Sequence, residues 1–465
     1  MNKAISKIVN ALYYHYYSRG GDRTSFFDFT LSLTAWKILS DYQARITTDN
    51  SDHNNIPYIP EQYRFSFVMQ QTIEKTQQSK ITETIEKLEQ LLPPSMKGLL
   101  ALEHKENNHF TIHDWSSFRQ LWLDLADQLD NVALQERAGC ITSALDILIT
   151  GPELIRTPKE LGSMMAALLN PAENTTVLDP FCRTGDLLEA VQKQTQNTAI
   201  ISGITESSFL RKWSAVRLLS DLREDVNIYP TTLTESPFEH LKFDFIITNP
   251  PFGISEQLFG RVNRHFKREW TSLLEQASRS DMSLAIQVLN SLSPNGKAAI
   301  ILPAVFLSGM GVFNEFRKLI IEKNILDAVI NLPPGIFPRS GVTTAILLFN
   351  KNRHHDKVFL FNAATDSISS SGSLRSVQLN SETTNKFISQ FLSQDFTQNP
   401  HAVVISTQEI TAQKYELRYS AYRDLPYEQI LEDGKSVNQL LEESRDLEEQ
   451  LKQARRRIAS LLKKH

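Results

Sequence analysis

The sequence is short of cysteine: Cys140 and Cys182 are the only two in 465 residues. Two thiols cannot build a disulfide framework or a thiolate zinc site, and they suit a reducing compartment. Long apolar runs are missing as well. The run from Ala298 to Leu307 contains Pro303 and is too short to span a bilayer. The start, Met1 to Lys7, lacks the apolar core of a secretory leader. Neither sign of charge dominates, and a net charge of −4 excludes a chain that coats nucleic acid with a uniformly basic surface. Any nucleic-acid contact must come from a local patch or from a partner. No internal repeat is visible. His354-His355-Asp356 lies in a charged stretch between two apolar runs and reads as a solvated loop, so no metal site is expected. These absences predict a cytoplasmic protein with no membrane attachment.

With 41% apolar residues there is enough to bury a sizeable core, and the length allows two or three domains. Residues 1–135 read as a helical domain. Bulky apolar residues recur at helical spacing from Phe26 to Leu39, and Thr72 to Leu92 and Trp115 to Leu129 are amphipathic. The cluster Tyr13-Tyr14-His15-Tyr16-Tyr17 reads as packing. Residues 136–425 alternate short β-rich runs with helical ones. Strands are expected at 175–181, 198–205, 243–248, 297–302, 326–332 and 343–349, with helices at 207–222 and 313–322 among those between them. Such alternation predicts a mainly parallel sheet with helices on both faces. Ser367 to Ser373 reads as a flexible loop. Residues 432–465 change character again. Val437, Leu440, Ser444, Leu447, Leu451, Ala454, Ile458 and Leu461 keep heptad spacing after a Ser436/Gln439 capping box. A seam of that length needs a partner helix, from this chain or another.

The richest local signal is Phe243-Asp244-Phe245-Ile246-Ile247-Thr248 running into Asn249-Pro250-Pro251-Phe252. A buried strand delivers a rigid turn to its carboxyl end, where open α/β sheets place ligands. The two prolines fix φ and remove N–H donors. The turn therefore offers acceptors, the Asn249 side-chain carbonyl and the Pro250 carbonyl, beside an aromatic face. That set suits a planar ring carrying an exocyclic amine, such as an adenine flipped from a duplex. The bland alternative is an ordinary Pro-rich turn after a buried strand.

A second signal precedes it. Asp179-Pro180-Phe181-Cys182-Arg183-Thr184-Gly185-Asp186 joins a strand to a helix start, whose free N–H groups favour an anion. One strand later, Glu206 stands at a carboxyl end, placed to accept both hydroxyls of a ribose. Upstream, Thr157-Pro158 opens a helix running through Leu169.

These segments resemble the N-6 adenine-specific DNA methyltransferases. Their order, including Asn331-Leu332-Pro333-Pro334-Gly335-Ile336-Phe337, is similar to the modification subunits of type I restriction–modification systems over about residues 145–425. The resemblance implies a Rossmann-like S-adenosylmethionine-dependent methyltransferase sheet, preceded by a helical domain and followed by a coiled-coil-type helix. It implies catalytic roles for Asn249, Pro250, Pro251 and Phe252. It implies cofactor contacts from Thr157, Pro158, Asp179, Pro180, Phe181, Cys182, Thr184, Gly185, Asp186 and Glu206. The implied partners are double-stranded DNA, a separate specificity subunit gripped partly by the heptad helix, a second copy of this chain and a nuclease or translocase subunit. Arg261, Arg264, Lys267 and Arg268 form a basic patch after the catalytic turn, suited to phosphate contact.

Three positions depart from the family pattern. Arg183 stands where glycine is usual, Asp186 where a small residue is usual, and Thr231-Thr232-Leu233 where an acid precedes Leu. An Arg183 turned outward would pair with Asp186. Two readings follow: an adenine methyltransferase, or a methyltransferase-fold scaffold with impaired catalysis. Cytosine N4 shares the amine chemistry, so the tetrapeptide alone does not select the base.

Overall fold

A computed structural model describes residues 3–49, 58–72, 78–93, 96–102, 114–148, 156–219, 226–230, 240–252, 270, 273, 280–337, 340–364, 368–369, 377–395 and 399–423. The heptad segment 432–465, the basic residues Arg261, Arg264, Lys267 and Arg268, and Thr231-Thr232-Leu233 lie outside the described residues.

The amino-terminal part is helical: α1 (Lys3–Tyr17), α2 (Arg23–Asp49), α3 (Phe65–Gln71), α4 (Gln78–Leu91), α5 (Trp115–Asp130) and α6 (Arg137–Leu148). Helix α2 is buried on every side from Phe26 to Ser40, its polar Asp28, Thr30, Ser32, Thr34 and Lys37 included. Two of its hydroxyls bond back into the helix, Thr34 Oγ1 to the Thr30 carbonyl at 2.7 Å and Ser32 Oγ to the Asp28 carbonyl at 3.1 Å, while the buried Thr30 hydroxyl makes no hydrogen bond. The tyrosine cluster packs in part, with Tyr16 buried and Tyr13 half-buried while Tyr14 and Tyr17 are exposed. Tyr13 stacks on Tyr17 and meets the edge of Phe26.

Helices α7 (Lys159–Leu169), α8 (Asp186–Gln194), α9 (Ser208–Arg217), α10 (Ser280–Ser291), α11 (Val305–Ser308), α12 (Val312–Glu322), α13 (Ser381–Ser393) and α14 (Thr407–Ala412) follow. The strands are β1 (Thr176–Asp179), β2 (Ile200–Thr205), β3 (Val226–Pro230), β4 (Phe243–Thr248), β5 (Leu292–Pro303), β6 (Leu326–Asn331), β7 (Thr344–Asn350), β8 (Lys357–Asn362), β9 (Ile368–Ser369), β10 (Val377–Gln378) and β11 (Ala402–Ser406). Among the described residues they form a nine-stranded sheet in the order β11-β8-β6-β7-β5-β4-β1-β2-β3 and a β9/β10 ribbon. The order runs outward both ways from β1 and β4, which pair in parallel through Val177↔Phe245 and Leu178↔Ile246. That is the switch point of a doubly wound sheet, where a crevice opens at the carboxyl ends. Asp244 fixes the register from the opposite end, accepting from the Thr176 N–H at 3.0 Å and the Thr176 hydroxyl at 2.9 Å.

The helical part and the sheet have separate cores, and α9 ties the two together. Trp213, Val216 and Leu219, on and just past α9, are buried among the residues of α1, α2 and α5. Lys212, buried on the same helix, pairs with the Asp28 carboxylate of α2 and lies 3.2 Å from Ser32 Oγ.

The sheet is mainly parallel, as expected, with β7 antiparallel to β5 and β6 and β11 antiparallel to β8. Other sequence expectations are corrected. The helix expected over 207–222 ends at Arg217. The stretch read as a loop at 367–373 contains β9, paired with β10. Strands β3, β8 and β11 were not expected. Beyond Leu417 a second unit begins, of which residues 418–423 are described as one short 3₁₀ turn.

Candidate active site

Strand β4 is buried over Phe245 to Thr248 because a central parallel strand has both faces covered. It ends at Asn249, which is 7% exposed. The Asn249 Nδ2 donates to Thr157 Oγ1 at 3.0 Å. One end of the amide is thus fixed by a residue just ahead of α7, and the side-chain carbonyl is left as the acceptor. Pro250 is buried beside it, Pro251 and Phe252 are half-buried. The Phe252 ring meets the edge of Phe337, with centroids 6.3 Å apart and planes at 70°. Phe337 is itself 1% exposed, so a buried wall from the segment after β6 sets the pitch of the Phe252 ring.

The loop after β1 is tightly held. The Cys182 N–H donates to the Ile204 carbonyl at 2.9 Å, and the Gly185 N–H to the Cys182 carbonyl at 2.6 Å. Gly185 has φ +83, and a Cβ there would meet the Ser214 Cα and Cβ at 3.1–3.2 Å; only glycine fits both demands. Gly203 answers from β2. A Cβ on it would come within 2.7 Å of Cys182 Sγ and Ile228 Cδ1. Cys182 is buried, and burial pushes its thiol well above the ordinary range. The Asp179 carboxylate accepts from the Phe181 N–H at 3.0 Å. Burial nevertheless pushes it up to about 7, against the lowering effects of that bond, the Thr248 hydroxyl and Arg183.

The residues expected to hold a cofactor divide into two kinds. Thr157, Pro158, Asp179, Pro180, Phe181, Gly185 and Glu206 gather at the carboxyl ends of β1, β2 and β4. Cys182 and Thr184 are buried supports of the loop. Asp186 is a support as well: its carboxylate accepts from Thr184 Oγ1 at 2.9 Å and pairs with Arg156 and Arg217. The expected Arg183–Asp186 pair is therefore not formed. Arg183, at φ +46, places its Nε 3.4 Å from Glu206 Oε1 instead. The positive φ is why glycine suits this position, and arginine is held there by the anchored loop on either side.

A buried ion network was not expected at all. Arg217, fully buried on α9, contacts Asp146 at 2.7 Å and both Asp186 and Glu189 at 3.2 Å, and donates from Nε to the Thr184 carbonyl at 2.7 Å. Arg156 adds a second cation, 2.7 Å from Asp146. Burial raises the carboxyls, and at Asp186 the two guanidiniums overcome this and hold it below the ordinary range. At Asp146 burial wins and the carboxyl is raised. The signals in the sequence were an acid inside the apolar run Ala144-Leu145-Asp146-Ile147-Leu148 and an arginine on the apolar face of α9.

Of the segment holding the basic patch, Trp270 and Leu273 are described. Both are buried, and Trp270 lies against Phe316 of α12 at 6.5 Å. His355 sits in the turn between β7 and β8, 3.6 Å from the Asp327 carboxylate, which also takes Arg353 at 3.2 Å. That is a structural corner.

A doubly wound sheet whose switch point joins a strand-borne Asn-Pro-Pro-Phe turn to a glycine-hinged loop defines a methyltransferase of the Rossmann-like class. Residues 155–429 match the N-6 DNA methylase family, and the chain belongs to it. It is 25% identical over 221 residues to the type I restriction enzyme EcoEI methylase subunit of Escherichia coli, covering 44% of this chain and 44% of that protein. It is 25% identical over 318 residues to the MpnII methylase subunit of Mycoplasma pneumoniae, covering 64% of this chain and 58% of that one. The matched stretch thus spans about half the length of these curated relatives. Among solved structures, the methyltransferase subunit of a type I restriction–modification system from Streptococcus thermophilus shares the fold, with a TM-score of 0.74 at 15% identity over 92% of this chain and 100% of that chain.

Proposed function

We propose that the chain methylates adenine N6 in duplex DNA as the modification subunit of a type I-like system. A separate specificity subunit would read the sequence. The observation that carries the reading is the Asn249 amide, tied at its nitrogen by Thr157 and presenting its oxygen at the carboxyl end of β4. Adenine N6 is a poor nucleophile because its lone pair is delocalised into the ring. The Asn249 carbonyl and the Pro250 carbonyl would accept its two hydrogens and free that lone pair, an interaction stronger in the transition state than before it. Phe252, braced by Phe337, would stack on the extruded base.

The residues present fit an adenosyl cofactor in most respects. Gly185 opens α8 with a left-handed turn, and Glu206 follows β2 as an acceptor for ribose hydroxyls. S-adenosylmethionine would supply a methyl group already activated on a sulfonium. Thr157, Pro158, Asp179, Pro180, Phe181, Gly185 and Glu206 would hold it, with Cys182, Thr184 and Asp186 shaping the loop beneath. The family match and the type I names of the relatives support DNA and companion subunits as partners. The segment 432–465 would provide part of the grip on the specificity subunit, and Arg261, Arg264, Lys267 and Arg268 would meet phosphates near the flipped base.

The test is tritiated-methyl transfer to DNA, with any required partner present. Asn249→Ala should lose at least about a hundredfold in kcat while cofactor affinity stays nearly constant. Near-wild-type turnover would remove the assigned role. The second reading, a scaffold with impaired catalysis, is favoured by one observation, the Arg183–Glu206 contact. Saturable binding of S-adenosylmethionine in a calorimetric titration favours the enzyme, and none across millimolar ligand favours the scaffold.

A further inference from the structure

We infer that Arg183 sets the affinity of the cofactor site by competing with the ligand for Glu206. This rests on reading the crevice as an adenosyl-cofactor site and adds how that site is filled. The Glu206 carboxylate stands just past the carboxyl end of β2, where a ribose would place its two hydroxyls. In this structure it faces the Arg183 guanidinium at 3.4 Å. A ribose and Arg183 cannot both hold the same carboxylate oxygens in the same way, so ligand entry requires the ion pair to open.

The loop cannot relieve the competition by moving aside. Its backbone is tied to β2 by the Cys182 N–H to the Ile204 carbonyl, and Gly185 is pressed against Ser214. Cys182 and Thr184 are buried and Gly185 has no side chain, so Arg183 is the loop's accessible cation. Asp186 does not draw it away, because Arg156, Arg217 and Thr184 already occupy that carboxylate. The remaining acid near both partners is Asp179, which is 1% exposed and whose carboxyl burial pushes up to about 7. Glu206 is the more accessible of these two acids, with its side chain 29% exposed against 1% for Asp179.

The pair is partly solvated, with side chains 16% and 29% exposed. Such a pair is weak and screened by salt. Arg183 therefore tunes affinity and does not block the site. When only a fraction of molecules has Glu206 released, the apparent affinity falls by that fraction.

Calorimetric titration of the full chain with S-adenosylhomocysteine decides the matter. Arg183→Gly should bind about fivefold more tightly than wild type at low salt. Arg183→Asn, which tolerates the left-handed backbone and carries no charge, should behave alike if the glycine variant alters the loop. The gain should shrink toward unity at about 0.5 M salt. It should vanish in a Glu206→Gln background and with a ligand lacking both ribose hydroxyls. If wild type binds saturably and both Arg183 variants bind equally or more weakly, the competition is overturned and the cofactor reading stands. If wild type and both variants are folded by circular dichroism and none binds, both are overturned.

Discussion

Asn249 Nδ2 donates to Thr157 Oγ1 at 3.0 Å, joining the turn after β4 to the segment before α7. The two residues are far apart in sequence and meet because α7 packs against the sheet beside β4 and β5. The bond makes the amide orientation a property of the fold. It would be in place before any substrate arrives, which is what preorganised catalysis requires.

Thr157→Val should therefore lower kcat about fivefold to tenfold, the equivalent of one hydrogen bond of about 1 kcal/mol. The Kd for cofactor should change by a smaller factor, since Thr157 is one of seven residues proposed to hold it, and Thr157→Ser should restore turnover. Single-turnover methyl transfer separates the two effects. A change confined to Kd would mean that Thr157 serves the cofactor and not the amide.

Phe252→Ala should weaken capture of the extruded base by about 1–3 kcal/mol, the loss of one stack. A fluorescent adenine analogue at the target reports it directly. Because Phe337 braces the ring, Phe337→Ala should give a smaller loss of the same kind. Unchanged fluorescence in Phe252→Ala would discard the stacking role.

Arg217→Met should cost about 3–5 kcal/mol of stability near neutral pH, since Asp146, Asp186 and Glu189 would lose a buried cation. The sign of the pH effect follows from the two depressed carboxyls, Asp186 and Glu189. Their contribution is present above the ordinary carboxylate pKa and is lost as pH falls through their lower folded values. The variant lacks that contribution, so its deficit should narrow on acidification. Denaturant melts at neutral and at mildly acidic pH check this, and a deficit independent of pH would argue for lost packing alone.

Asp179 behaves in the opposite sense. Its folded pKa is raised by burial from 3.8 to about 7, so the folded chain holds a proton that the unfolded chain has released. Stability falls as pH rises through that window. Asp179→Asn carries no ionisation penalty and should gain on wild type between about pH 5 and pH 8, by at most about 4 kcal/mol. Thermal melts across that range report the difference. A constant offset would place the ionisation elsewhere.

Strand β4 was legible residue for residue because its Phe and Ile residues form a short β-rich run that ends against the Asn-Pro-Pro turn. Helix α5 was legible to within a residue, its periodicity being complete from Trp115 to Leu129. Strand β3, Val226-Asn227-Ile228-Tyr229-Pro230, was not, since an edge strand needs only one buried residue and carries little pattern. Strand β8 is a short apolar run that periodicity cannot separate from a helix segment. At the site, sequence supplied the residue types but not the partners. The Thr157–Asn249 bond depends on α7 packing beside β4, and the Arg183–Glu206 pair on β1 lying beside β2, both facts of topology. Arg183 was read as free to meet Asp186 because the two are close in sequence. The buried Arg217, remote in sequence, holds Asp186 instead.

The burial of Trp213, Val216 and Leu219 in the amino-terminal helical core has a consequence for the order of synthesis. Helices α1 to α6 leave the ribosome before the surface that completes their packing has been translated. Helix α2, buried on all sides, must wait for α9 with part of its partner surface absent and Asp28 without Lys212, a state that invites aggregation and chaperone capture. A break in the chain after α6 would therefore release two insoluble fragments, although sequence character alone draws a domain boundary close to that point.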